Sequence, residues 1–150
     1  MSRKAYFFAS VFFLVAGLFT MLSAASVDHS KFAELNRNFS KPEDLTAACL
    51  KCHNNAGTDI MKTNHWLWTR KTDKMPGREG QMIDVGKKNI INNFCIAVAS
   101  NEPRCTSCHI GYGWKDGSFD FANQNKIDCL VCHDTTGTYE KFPTGAGYPV

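Results

Sequence analysis

The sequence has no basic tract. Its 17 lysines and arginines are offset by 14 acidic residues, and the formal net charge is only +3. Two of the positive charges, Arg3 and Lys4, lie at the extreme N-terminus. Nucleic-acid binding, which draws on clustered cations, therefore has no support. An apolar run long enough to cross a membrane comfortably is also missing. The one candidate, Tyr6 to Leu22, has 17 residues and is broken by Gly17, at the lower limit for a spanning helix. Histidine is scarce, with five in 150 residues, so any chemistry resting on imidazole is confined to a few positions. The length suits one domain.

Cysteine is plentiful by comparison. Six of the seven cysteines fall in three copies of one pattern: Cys49-Leu-Lys-Cys52-His53, Cys105-Thr-Ser-Cys108-His109 and Cys129-Leu-Val-Cys132-His133. A single Cys-x-x-Cys is compatible with a zinc half-site or a thioredoxin-like redox pair, and cysteines in a short chain also suit a disulfide framework. Three copies, each followed at once by histidine, point instead to covalent attachment of c-type haem. Two cysteines three apart share one face of a helical turn. Their sulfurs can form thioethers to the two vinyl groups of one porphyrin, while the adjacent histidine reaches the iron as proximal ligand. The expected cofactor set is three haems c, with His53, His109 and His133 on iron. Only 19 residues separate His109 from Cys129, so the second and third groups are expected close together, as electron transfer requires.

The N-terminus supplies the compartment. Residues 1–25 read as a secretory signal: Arg3 and Lys4, then the apolar stretch, then Ser23-Ala24-Ala25 as a cleavage site with Ser26 as the mature start. An uncleaved anchor is the competing reading. Because the apolar run is short and the small-residue site follows directly, cleavage is favoured, leaving no stable membrane span. The remainder, 26–150, is expected outside the cytoplasm, in the periplasm or otherwise exported, where haem is attached.

Along the mature chain, Ser26 to Phe39 reads as a polar extended arm. Its His29 is either a solvated side chain or a sixth ligand for a haem iron. Ser40-Lys-Pro-Glu43 has the form of a capping box with Pro42 in the first turn. The helix it opens carries Leu45, Ala48, Cys49 and Cys52 at helical spacing and is expected to end at Asn54 to Gly57. His65 lies between Asn64 and Trp66, and is either a packed core histidine or, preferably, a distal haem ligand. Trp66 and Trp68 can cover a porphyrin face. Residues 72–80 read as a loop. The spacing predicts a helix over 81–100 with Ile90, Ile91, Phe94, Cys95 and Val98 as its apolar stripe. Cys95 at the stripe margin is by default a small buried hydrophobe, with Asn92 beside it. Lys87 and Lys88 read as a solvated charged face. Asn101-Glu-Pro103 opens a short helix for the second motif, Gly111-Tyr-Gly113-Trp114 stops it, and the segment after His133 is loop-like.

Several strings are more specific than the haem motifs. Asp59-Ile-Met-Lys62 with His65-Trp66, Gly86-Lys-Lys-Asn89 through Asn92-Asn-Phe-Cys95-Ile-Ala, Asn101-Glu-Pro-Arg104-Cys105 through Gly111-Tyr-Gly-Trp114, and Asp128-Cys-Leu-Val-Cys-His133-Asp-Thr-Thr-Gly137 resemble, in order, the octahaem tetrathionate reductase family of multihaem cytochromes c. The resemblance implies a periplasmic reductase of tetrathionate, able also to reduce nitrite and hydroxylamine, with eight mostly bis-histidine haems. It implies that the second motif holds the active-site haem, whose distal ligand is a lysine. Asn92 and Cys95 match that family's active-site asparagine and cysteine. Five of the family's haem motifs are missing and its distal lysine is expected beyond the third motif, so the sequence reads as the N-terminal part of a longer protein.

The expected fold is mainly α with extensive loop, a multihaem cytochrome c in which short helices carry the motifs and haem supports the core. The expected partners are redox proteins, either other cytochromes or a quinol-linked donor, and a small inorganic oxyanion. The alternatives are a self-contained, non-catalytic trihaem carrier and a zinc-binding structural module.

Overall fold

A computed structural model describes residues 27–89 and 99–150. The leader, Asn92 and Cys95 lie outside the described residues. The chain divides into two compact units, Met1–Asn36 and Arg37–Val150. In the first, the expected extended arm contains a 3-10 turn, His29–Lys31. Asp28 starts it by accepting from the Ser30 amide at 3.1 Å, and the His29 ring lies 6.4 Å from that of Phe32.

The second unit opens with α1, Pro42–Leu50. Proline suits this first position because its fixed φ is helical and the amide it lacks has no partner there. The expected capping box is not formed. Lys41, extended at φ −137°, is the N-cap and makes no side-chain cap bond. Glu43, which the box would have turned back toward Ser40, instead accepts from Tyr148 Oη at 2.7 Å and pairs with Lys126 at 3.7 Å. Gly57 does not terminate the helical region either: it is buried within α2, Ala56–Ile60. A Cβ on Gly57 would lie 2.5 Å from Gln124 Oε1, so the bare backbone allows α2 to pack on the 3-10 turn Gln124–Lys126. Next comes α3, Asn64–Leu67, closed by Trp68 in the left-handed region at φ 51°.

The predicted helix over 81–100 is corrected in its first half. Ile83–Val85 is strand β2, antiparallel to β1, Arg70–Thr72, with Arg70 opposite Val85 and Thr72 opposite Ile83. The alternation decides it: Ile83 and Val85 are half-buried while Asp84 between them is exposed and meets Lys71 Nζ at 3.2 Å. Lys87–Asn89 is a 3-10 turn. The loop expected over 72–80 occupies residues 73–82. It joins the two strands, with Gly77 and Gly80 both at positive φ. Two further short helices carry haem motifs: α4, Glu102–Cys105, and α5, Leu130–His133. Among the described residues this makes five short helices and one hairpin, in keeping with the helix-and-loop expectation. None of these helices is long and apolar enough to cross a membrane.

Among the described residues the core is small and rich in polar groups. Ala48, Trp66, Tyr112, Trp114, Ile127 and Ala146 are buried together with Thr46, Thr106, His109 and Asp128. A buried polar group is tolerated only when its hydrogen bonds are made, and here they are. Thr46 Oγ1 donates to the Ile127 carbonyl at 2.6 Å, across 81 residues of sequence. Thr106 Oγ1 lies between the Glu102 and Trp114 carbonyls at 2.9 and 2.5 Å. The final segment returns over the second motif. The Ala146 amide donates to Pro103 O at 2.9 Å, and its carbonyl accepts from Gly113 N and Trp114 N at 2.8 and 3.3 Å. Gly147 sits so close to the Gly111 carbonyl that no side chain fits.

Candidate functional site

The first motif straddles the end of α1. After Leu50 the chain continues for one more turn, with the amides of Cys52 and His53 both donating to the Cys49 carbonyl at 3.2 and 3.0 Å. Cys49 is half-buried, while Cys52 and His53 are exposed. The third motif repeats this arrangement on α5: the Cys132 and His133 amides donate to Cys129 O at 3.4 and 3.1 Å, and Cys132 and His133 are again exposed. Thr46 places the two turns side by side by holding Ile127, two residues ahead of Cys129. As free thiols, Cys49 and Cys129 perturb each other's ionisation. Cys129 favours a thiolate on Cys49, bringing it down to about 7, while Cys49 and burial push the Cys129 thiol up.

The second motif is enclosed. Pro103 lies in the first turn of α4, as expected. Cys108 is exposed and faces a cavity of about 340 Å³ shared with Arg104, Ser107, Lys141 and Pro143. His109 points elsewhere. It is fully buried, ringed by Trp66, Trp68, Trp114, Phe119 and Phe121 with ring centroids 4.9–6.1 Å away. The Gly111 amide can only donate, so His109 Nδ1 accepts from it at 3.1 Å, and Nε2 carries the proton donated to the Trp66 carbonyl at 2.7 Å. Burial brings the imidazole down to about 4. The Trp66 carbonyl opposes this, and the charges of Lys141 and Lys88 reinforce it.

Lys87 and Lys88 are exposed, as expected, and also cap this aromatic cluster. Lys87 Nζ lies 4.4 Å from the Trp68 ring centroid and Lys88 Nζ 3.8 Å from that of Phe121. Lys88 borders a cavity of about 300 Å³ with Glu102, Trp114, Asp116, Phe119 and Phe121. His65 is exposed on α3, while Trp66 beside it is buried, its Nε1 donating to Phe121 O at 2.9 Å. The structure therefore sets the first and third motifs side by side and encloses the histidine of the second within aromatic rings.

Sequence reasoning missed the group beside these motifs. Asp128, 2% exposed, accepts from Tyr112 Oη at 3.0 Å, Tyr139 Oη at 2.8 Å and the Val131 amide at 3.1 Å, and pairs with Lys141 Nζ at 3.0 Å. Lys141 Nζ also donates to the His109 carbonyl at 2.5 Å. One signal was available: an aspartate three residues before Val131 can cap the turn of the third motif.

All six described cysteines are free thiols. In the first and third motifs, an exposed imidazole and an exposed second thiol follow a half-buried first thiol within one turn, and this donor set fits a haem as it stands. In the second motif only the thiols fit. Iron ligation by His109 would require Nε2 to leave the Trp66 carbonyl.

Short helical turns that repeatedly present a thiol pair next to an imidazole define a multihaem c-type cytochrome, a protein of electron transfer. The chain belongs to the cytochrome c554 and c-prime family, whose profile matches residues 48–134. An octaheme cytochrome c from Shewanella oneidensis, solved by crystallography, is 52% identical to it and has a TM-score of 0.72, covering 83% of this chain. The match takes in 27% of that protein, so the chain spans about a quarter of its length. No curated protein sequence matches the chain.

Proposed function

We propose that this chain is the N-terminal haem-binding part of a periplasmic octahaem reductase, with tetrathionate as substrate and nitrite and hydroxylamine as further ones. The likeness to the octaheme protein over most of the chain carries the reading, and the strings around Asn92 and Cys95 supply the substrate class. Three haems c are held through Cys49 and Cys52, Cys105 and Cys108, and Cys129 and Cys132. Haem supplies the one-electron carrier and, where iron keeps an open position, the point of reduction. Because Thr46, three residues before Cys49, holds Ile127, two residues before Cys129, the first and third attachment points are neighbours, which suits direct electron exchange between those groups. His53 and His133 are the proximal ligands there, and His65 and His29 are proposed as distal ligands. His109, Asn92 and Cys95 belong to the proposed active-site region. Other cytochromes or a quinol-linked protein would donate the electrons.

His65→Ala is expected to convert one low-spin haem to high-spin in the visible spectrum. An unchanged spectrum would reduce His65 to an exposed polar residue. Cys95→Ser in the full-length protein is expected to lower tetrathionate turnover at least tenfold with no loss of haem. Full activity in that variant would return Cys95 to a packing role. The 150-residue chain by itself should bind haem and reduce tetrathionate poorly. A full-length protein that exchanges electrons rapidly but turns over none of the three substrates would make the chain part of a carrier instead.

A further inference from the structure

The Asp128 cluster lies between two haem motifs without belonging to either. Asp128 immediately precedes Cys129, and its Oδ1 holds the Val131 amide inside the third motif. Its Oδ2 takes the ammonium of Lys141, which in turn holds the carbonyl of His109, the last residue of the second motif. The Lys141 side chain is 13% exposed and that of Asp128 is fully buried. The Coulomb interaction of such charges is weakly screened and extends to neighbouring groups. Tyr112 and Tyr139 fill the remaining acceptor capacity of the carboxylate. The backbones of His109 and Val131, each within a haem motif, are thus joined through one buried ion pair.

We propose that Lys141 and Asp128 are positioning residues for electron transfer: the pair fixes the third haem motif against the second and sets the reduction potential of the haem on Cys129 and Cys132. This rests on haem attachment at the third motif as read above. The signs follow from charge. An ammonium nearby favours the reduced, more negative haem, and a carboxylate favours the oxidised one. In Lys141→Met the carboxylate keeps three donors but loses its counter-charge, so the potential falls. In Asp128→Asn the ammonium is left uncompensated, so the potential rises.

The test is spectroelectrochemical titration of the haem-loaded full chain and the two variants, with the haem count of each taken by mass spectrometry. Each substitution is expected to shift one haem's reduction equilibrium on the order of tenfold, as for a unit charge removed from a site of intermediate dielectric. That corresponds to about 59 mV for a one-electron couple. Opposite directions in the two variants, with Lys141→Arg restoring the original potential, are the expected result. Shifts of the same sign, or none, with all haems present would overturn the proposal. If Lys141→Met fails to load haem, Asp128→Asn and Lys141→Arg still decide the sign. Wild-type chain lacking haem on the third motif would instead overturn the proposed function.

Discussion

Denaturing mass spectrometry of the mature chain, made with haem-maturation factors, is expected to show three haem additions. Changing Cys105 and Cys108 together to alanine should remove one addition and leave two. Thioethers survive denaturation, so the readout does not depend on folding, and a mass matching apoprotein plus zinc would sink the reading. The three motifs are not equivalent in the structure. The first and third present an exposed imidazole beside their exposed second thiol, whereas His109 is held by the Trp66 carbonyl within five aromatic rings. Covalent attachment requires only the thiols. The second haem should therefore be present in full by mass even where its spectrum differs from those of the other two.

Asp128→Ala is expected to cost about 3–5 kcal/mol, the usual penalty for breaking a buried ion pair from one side. The loss is concentrated because the carboxylate serves four partners: two tyrosine hydroxyls, the Val131 amide and Lys141. Against a total stability of about 5–15 kcal/mol for a domain, that is a large fraction, and it should appear as a marked fall in the urea midpoint. Tyr139→Phe removes one half-buried donor and should cost only about 1 kcal/mol. Equal midpoints for wild type and Asp128→Ala would show the cluster to be energetically idle.

The parts of this protein legible in the sequence are those fixed by local chemistry. Cys-x-x-Cys-His is short, its spacing is set by the porphyrin, and it was readable three times over. Pro42 and Pro103 each mark the first turn of a helix, as read. Gly57 was misread because its reason is distant: it is bare to admit Gln124, not to end a helix. The strand Ile83–Val85 was absorbed into a helix by the apolar stripe beyond it, although Asp84 between two β-branched residues already had the period of a strand. The contacts that arrange the motifs were out of reach. Thr46 finds Ile127 across 81 residues and Lys141 finds the His109 carbonyl across 32, and no local pattern announces either. The burial of His109 was equally invisible, since the rings enclosing it come from three separate segments.

The return of the last residues over the second motif has a consequence for biogenesis. A ribosome delivers the chain from the N-terminus, so Cys105 and Cys108 are made well before Ala146. The bonds that close this region, from Ala146 to Pro103, Gly113 and Trp114, cannot form until translation has passed that point. A chain delivered from its N-terminus therefore presents its second pair of thiols before the bonds that tie the surrounding segment in place are made.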